Sequence, residues 1–405
     1  MTIPEAPVAW DHARVRVLVS TTAGAGHFGP VVPCVRACLA AGHEVVVAAP
    51  QSFAAQVEGA GFRHRAFADV PAELMGPILG RLPLLSFEEA NVVVVTEIFG
   101  RHDAQAALPG LVEIIDEWRP DVVLREPCEF GSLVAAAAAG VPQAEVAIGM
   151  GETTDYMSAL VAEPLAELGA LAGLPDGAAA EVLSSMETFT SVPAVLDGDR
   201  LSGADTAGSV HRFCDPTLTA DPASLPPVWG DPSHPLVYVS FGSVVGGLPG
   251  FARIYPDVVA SFDGRPFRVL LTTGQGFDPT DLDPLPGNVR VEQWWPQAEV
   301  MPHCAAMVGH GGFGTTMSAL ASGVPQVVVP LFAFDQRVNA AHVAAVGAGI
   351  DLDGGPERLS DVADAVARLM QESSYARAAG SVASEIAALP PISDAVASLE
   401  RIARP

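Results

Sequence analysis

Apolar and polar positions along this chain fall into alternating blocks that predict a strand–helix rhythm. Val15–Ser20 is a short apolar run ending in Thr21-Thr22 and a glycine-rich turn. A helical pattern opens at Pro30 and runs to Ala41, Gly42 stops it, and Glu44–Ala49 is a β-branched run closed by Pro50. Strand, glycine loop, helix and strand in that order form the βαβ unit of a parallel sheet. A second unit reads as strand at Asp121–Arg125, helix at Phe130–Ala139 and strand at Ala144–Ile148. Val70–Glu89 and Gly151–Glu187 lack a clean period, and long loops with irregular helices are expected there.

Six prolines (216, 222, 226, 227, 232 and 235) crowd the segment 215–235, which reads as an interdomain linker. Beyond it the rhythm restarts, with strands at Leu236–Phe241, Phe267–Thr272, Val289–Val291, Ala306–Gly309 and Gln326–Pro330. Helices are expected from Phe251, over Gly312–Ser322 and over Asp335–Val346. The expected architecture is therefore α/β, with two facing Rossmann-like domains, each an open doubly wound parallel sheet. The domains are expected at 1–214 and 236–390, with a cleft between them. A last helical pattern, Ile392–Arg404 within 391–405, is expected to pack back on the first domain.

Composition then removes whole classes of chemistry. Acids outnumber bases 47 to 21, giving a net charge of −26, and every base is arginine. Without lysine there is no Schiff base for pyridoxal phosphate and no Walker-A contact to a nucleotide. The acidic balance argues against nucleic acid or an anionic membrane as partner. The apolar stretch Leu133–Met150 is broken by Gly140, Pro142, Gln143 and Glu145, so it suits a packed core and not a membrane span. Met1–Asp11 has no apolar signal-peptide core. The five cysteines are scattered without a C-x-x-C pair and read as reduced thiols of a cytoplasmic protein.

Two glycine loops follow strands in the pattern G-x-G-x-x-G: Gly24, Gly26, Gly29 and Gly309, Gly311, Gly314. Such loops let backbone approach a phosphate at a helix N-terminus, although a tight β–α turn needs the same glycines. After the first loop no acid stands at the end of the next strand to take a ribose, whereas the second has Asp335 further on. A dinucleotide-dependent oxidoreductase is thus one reading. Each loop also holds a histidine, His27 and His310, just past the carboxyl end of a strand, where open α/β sheets bind ligands.

The run Gln293–Asn339 resembles the donor-binding signature of inverting GT-B glycosyltransferases that use nucleotide sugars, and within them the bacterial enzymes that decorate natural products. Gly24–Pro30, Arg119–Pro127 and Val237–Ser243 fall where that family has counterparts, so the resemblance spans both domains. It implies a GT-B fold and transfer of a sugar to a hydroxyl of an apolar small molecule, with no metal and no other cofactor. His27 would be the general base, oriented by Glu126, with Glu129 as the fallback. Trp294 would lie beside the nucleotide base and Gln297 would contact the nucleoside. Ser243, His310, Gly312, Gly314 and Thr315 would hold the diphosphate; imidazole, hydroxyls and free amides at a helix N-terminus suit a dianion where no lysine exists. Asp335 and Gln336 would bind sugar hydroxyls. Relatives that use UDP-sugars commonly carry a glutamate three residues past the phosphate-binding Ser or Thr to bridge the ribose hydroxyls. Serine stands there, at Ser318, which favours dTDP over UDP. A non-catalytic homologue that binds sugar nucleotides as a partner of another transferase is the third reading.

Overall fold

The computed structural model describes residues 14–197, 209–219, 225, 228–248, 250–251 and 253–404. Residues 220–224 and 226–227 of the proline-rich segment lie outside the described residues. Two all-parallel sheets organise the chain. The first contains β1 (Arg16–Ser20), β2 (Glu44–Pro50), β3 (His64–Phe67), β4 (Val122–Arg125), β5 (Gln143–Val146), β6 (Glu187–Thr190) and β7 (Val210–Arg212), in the order β3-β2-β1-β4-β5-β6-β7. The second contains β8 (Leu236–Ser240), β9 (Arg268–Thr272), β10 (Val289–Glu292), β11 (Ala306–Gly309), β12 (Gln326–Val328) and β13 (Gly349–Asp351), in the order β10-β9-β8-β11-β12-β13.

Parallel strands joined by helical crossovers are covered on both faces, so their central strands are apolar throughout. The two-residue period sorts the side chains. Leu18, opposite Val46 and Val123 in the neighbouring strands, packs under the helices Ala104–Trp118 and Phe130–Ala139. Val17, Val19, Val45 and Val47 point the other way, onto the helix Val32–Ala40. That second face is completed by the C-terminal helix Ile392–Ile402, which contributes Ala395, Val396 and Leu399. The Cys214 amide donates to the Pro390 carbonyl at 2.7 Å, and His43 meets Glu400 at 3.0 Å, fixing this helix on the first domain.

Each sheet reverses its winding direction beside its first strand, between β1 and β4 and between β8 and β11. Such switch points leave a crevice at the carboxyl ends of the strands. The linker is anchored to the second domain through Trp229, whose indole N–H donates to the Val269 carbonyl at 3.0 Å while Arg268 and Arg290 lie over its ring.

The segments expected to be irregular are largely helical: Ala72–Arg81 and Phe87–Val93, then Gly151–Leu160, Ala162–Leu171 and Ala178–Ser184. Pro77 inside the first and Pro164 near the start of the fourth, with several glycines, blur their periods. Phe87–Val93 continues into a ten-residue π-helical stretch, Val94–Asp103, and then into the helix Ala104–Trp118. Among the described residues no helix is long and apolar enough to cross a membrane.

Candidate active site

His27 follows β1 in the short helix Ala25–Phe28, and Glu126 is the first residue after β4, so the switch point of the first sheet brings them together. His27 Nδ1 lies 3.2 Å from Glu126 Oε2, with the imidazole side chain 23% exposed and the carboxylate fully buried. Glu126 Oε1 accepts from the Thr22 amide at 3.1 Å and the Thr22 hydroxyl at 2.9 Å, and Oε2 accepts from the Cys128 amide at 2.8 Å. Burial opposes both charges. The pairing outweighs it, so the carboxyl group of Glu126 titrates below its ordinary range and the His27 imidazole above its own. Asp335 and Asp103 add to the upward pull on His27. Gly24 lets the ring lie close to the backbone, since a Cβ on it would stand 3.1 Å from His27 Cδ2 and push the ring aside by a few tenths of an ångström.

Glu129, the alternative partner, is committed elsewhere. It caps the helix Phe130–Ala139 by accepting from the Ser132 amide, and it accepts from the Ser20 hydroxyl at 2.7 Å. The loop between them is pinned from below by Arg125, which is wholly buried. Arg125 pairs with Glu145 at 2.5 Å and donates to the carbonyls of Glu129 and Pro127. Removing one partner of a buried pair of this kind costs on the order of 3–5 kcal/mol. The ligand atoms of His27, Glu126 and Cys128 lie within 4.8 Å of one another. They do not fit a metal centre, because Glu126 already accepts from three protein donors and burial pushes the Cys128 thiol well up, keeping it protonated.

In the second domain His310 follows β11, and the helix Phe313–Ala321 starts three residues later with Gly312 as its cap. The ring is held between two backbones. A Cβ at Gly242 (φ +83°) would lie 2.9 Å from its Cε1, and one at Gly312 2.5 Å from its Nε2. Burial lowers the His310 pKa to about 4, against the pull of the Ser240 carbonyl, so the ring is neutral at pH 7. Its Nδ1 is buried with no hydrogen-bond partner among the described residues. Gly314 is exposed, with nothing within 4 Å of where its Cβ would stand, and Thr315 lies in the same first turn. Open space, free amides and a hydroxyl therefore meet at one helix N-terminus.

Ser243 is exposed in the turn after β8. Trp294 is 71% exposed just past β10, whereas its neighbour Trp295 packs into the core, so only the first indole offers a free face. Gln297 donates weakly to the Ser240 hydroxyl at 3.5 Å. Burial pushes Asp335 up to about 6, with His27 across the cleft pulling it down. Two expected donor contacts are engaged otherwise. The Gln336 Oε1 accepts from the Leu331 and Phe332 amides, bracing the turn before its helix. Ser318 is buried and its hydroxyl donates to the linker carbonyl of Leu218 at 3.2 Å.

A cavity of about 300 Å³ opens beside Cys128 and Glu129, walled by Phe67, Met75, Ile98 and Phe99 with Asp103 among them. The Phe99 ring centroid is 5.2 Å from that of His27. A wider depression of about 520 Å³, lined by Arg368, Glu372 and Tyr375 beside the edge strand β13, holds none of these groups. The helical run that lines the cavity of about 300 Å³ also reaches across the cleft. Asn91 accepts from the Phe334 amide at 2.8 Å and donates to the Phe332 carbonyl, while Phe334 stacks on Tyr156 at 3.8 Å. These contacts hold the turn that carries Asp335. Asn91, Asp103 and Arg125 bear on the site and were not read from the sequence. A charged residue ending an otherwise buried apolar strand, as Arg125 does, was the available signal.

Two parallel-sheet α/β domains, each with a crevice at the switch point of its sheet, are the architecture of GT-B glycosyltransferases. Comparison with known proteins agrees. The domains described as erythromycin biosynthesis protein CIII-like match at residues 83–194 (N-terminal domain) and 257–402 (C-terminal domain). The chain is 33% identical to L-demethylnoviosyl transferase of Streptomyces niveus, over 87% of this chain and 88% of that one. It is 31% identical to the elloramycin glycosyltransferase ElmGT of Streptomyces olivaceus, over 95% and 97%. The structure of spinosyn rhamnosyltransferase SpnG complexed with thymidine diphosphate superposes with a TM-score of 0.74 at 25% identity, covering 95% of this chain and all of that one. The chain belongs to the bacterial natural-product glycosyltransferases, and glycosyl transfer is its activity.

The interdomain clamp generates a prediction. Asn91→Ala should raise KM for the nucleotide sugar roughly tenfold, the value of about one well-placed hydrogen bond, while affinity for the bare nucleoside diphosphate stays within a factor of two or so. Steady-state kinetics beside calorimetric titration of the diphosphate checks it; an equal loss in both would show that Asn91 does not act through the turn that carries Asp335.

Proposed function

We propose that this enzyme transfers a sugar from a dTDP-sugar to a hydroxyl of an apolar natural-product aglycone with inversion at the anomeric carbon, using His27 as general base and no metal. The observation that carries the reading is the His27–Glu126 contact. Facing a carboxylate, Nδ1 holds the ring's proton, which leaves the Nε2 lone pair directed away from Glu126 to accept a proton. An alcohol attacks too slowly at pH 7 without such a base. As the acceptor oxygen bonds to the anomeric carbon, its proton passes to Nε2 and the bond to the diphosphate breaks, the leaving oxygen keeping the electron pair. Neutral His310, Thr315 and the amides of the helix Phe313–Ala321 stand ready for that negative charge as a preorganised anion hole. A single displacement of this kind inverts configuration.

The preference for dTDP rests on Ser318. With its hydroxyl given to Leu218, this position offers no carboxylate to a ribose diol. Charge-assisted hydrogen bonds contribute about 1.5–3 kcal/mol each, so its absence weakens the ribonucleotide preference by roughly tenfold or more. The thymidine diphosphate in the SpnG complex is consistent with this reading.

Replacing His27 by Ala should lower turnover on the order of 10²–10⁴-fold with nucleotide affinity nearly unchanged. Near-normal turnover of an alcohol acceptor by this variant would remove the base assignment. In EDTA the wild-type enzyme should keep full activity, its product should show the inverted anomer by NMR, and it should bind dTDP more tightly than UDP at one salt concentration. Rescue by Mg²⁺ after chelation would require a metal, retention would require a second displacement, and tighter UDP binding would overturn the donor assignment.

A further inference from the structure

The cavity beside the His27–Glu126 pair has three charged side chains in its lining, Asp69, Asp103 and Glu129, and all are acidic. Two are occupied. Asp69 accepts from the amide and the hydroxyl of Ser52, and Glu129 accepts from Ser20 and Ser132. Asp103 is different. It sits at the last position of the π-helical stretch Val94–Asp103, immediately before the helix Ala104–Trp118, yet makes no side-chain cap to that helix. Its side chain makes no hydrogen bond or ion pair with any described residue. Its surroundings are the apolar walls formed by Ile98, Phe99, Ala104 and Ala107. Burial accordingly pushes its carboxyl up to about 7, opposed by His27 and reinforced by Glu126, Glu129 and Asp69.

Asp103 is half-buried, and its carboxyl group opens into this cavity without a protein partner to engage it, which leaves it available to a ligand. π-Helical segments are themselves uncommon and concentrate at functional sites. Asp103 shares its cavity with Phe99, whose ring lies 5.2 Å from that of His27, and with Thr22 and Cys128, whose amides hold Glu126; Asp103 and His27 each perturb the other's titration. We propose that Asp103 is the specificity-determining anchor for the acceptor: it takes a hydrogen bond from a second hydroxyl, alcoholic or phenolic, of an apolar acceptor whose reacting hydroxyl lies at His27. The substrate class is thereby narrowed to apolar aglycones with at least two hydroxyls, one for the base and one for this carboxyl group. The inference rests on the reading of the cavity as the acceptor site but not on turnover.

The test uses binding to the dTDP-loaded enzyme, with 2-naphthol as the mono-hydroxyl probe and 2,6- and 2,7-dihydroxynaphthalene as two-hydroxyl probes of different spacing. The wild-type protein should bind at least one diol about tenfold or more tightly than 2-naphthol, the value of a hydrogen bond to a charged group. Asp103→Ala and Asp103→Asn should both reduce that preference towards unity while leaving 2-naphthol affinity and dTDP affinity unchanged. Because the carboxyl group has no protein partner to lose, neither variant should lower the thermal midpoint. If wild type shows no diol preference, or no measurable binding of either diol, the proposal is wrong. Equal loss of diol and 2-naphthol binding would make Asp103 a shaping residue only. Loss of turnover in His27→Ala with the diol preference intact would support both assignments separately, whereas a normal His27 variant beside an intact preference would overturn the base and leave the anchor standing.

Discussion

Glu126 is a carboxylate with no access to solvent, kept ionised by four groups: two from Thr22, the Cys128 amide and the His27 ring. Isolated in a protein interior, such a charge would protonate instead. Each supporting group comes from a strand end, Thr22 beyond β1 and Cys128 beyond β4, and these strands are neighbours because the sheet switches direction between them. The fold therefore delivers the donors, the donors keep the charge, and the charge holds the imidazole by its Nδ1. Arg125 contributes beneath, tying the loop that carries Glu126 to β5 through Glu145.

The second domain repeats the topology with the opposite electrostatics. His310 occupies the position after β11 that Glu126 occupies after β4, but among the described residues no carboxylate pairs with it, and burial keeps it neutral. A neutral donor among free amides is suited to accept a dianion without repelling it or being neutralised beforehand. Across the cleft, one continuous helical run from Phe87 to Trp118 carries Asn91 against the turn before Asp335 and Phe99 against His27. The His27 side of the cleft and the turn before Asp335 are thus joined by a single element.

Much of this architecture was legible in the chain, and the unread parts have physical causes. The buried strands β1, β2, β4, β8, β9 and β11 are apolar runs bounded by glycine or proline, and they appear within a residue or two of where the pattern puts them. The short strands β3, β6, β7 and β13 went unread because at three or four residues, with polar or half-exposed positions such as His64, Glu187 and His211, they carry no period. The glycine loops and both histidines were visible as spacing. Choosing between Glu126 and Glu129 needed three dimensions, since both are buried acids one helical turn apart and only their hydrogen-bond partners separate them. Asp103 ends a π-helical stretch whose i→i+5 geometry defeats a 3.6-residue reading, and Asn91 lies in the short α-helix Phe87–Val93 that runs into it, too brief to show a period of its own.

The central claim is that the two switch points hold two histidines in opposite protonation regimes, one poised as a base and one kept neutral for an anion. An NMR pH titration of the ring resonances, assigned with His27→Ala and His310→Ala, tests it directly. The account predicts that His27 titrates above 6.5 and falls back when Glu126 is replaced by Gln, while His310 stays neutral down to about pH 4. A His27 midpoint below 6.5 that is insensitive to Glu126→Gln, or a His310 that is already charged at neutral pH, would contradict it.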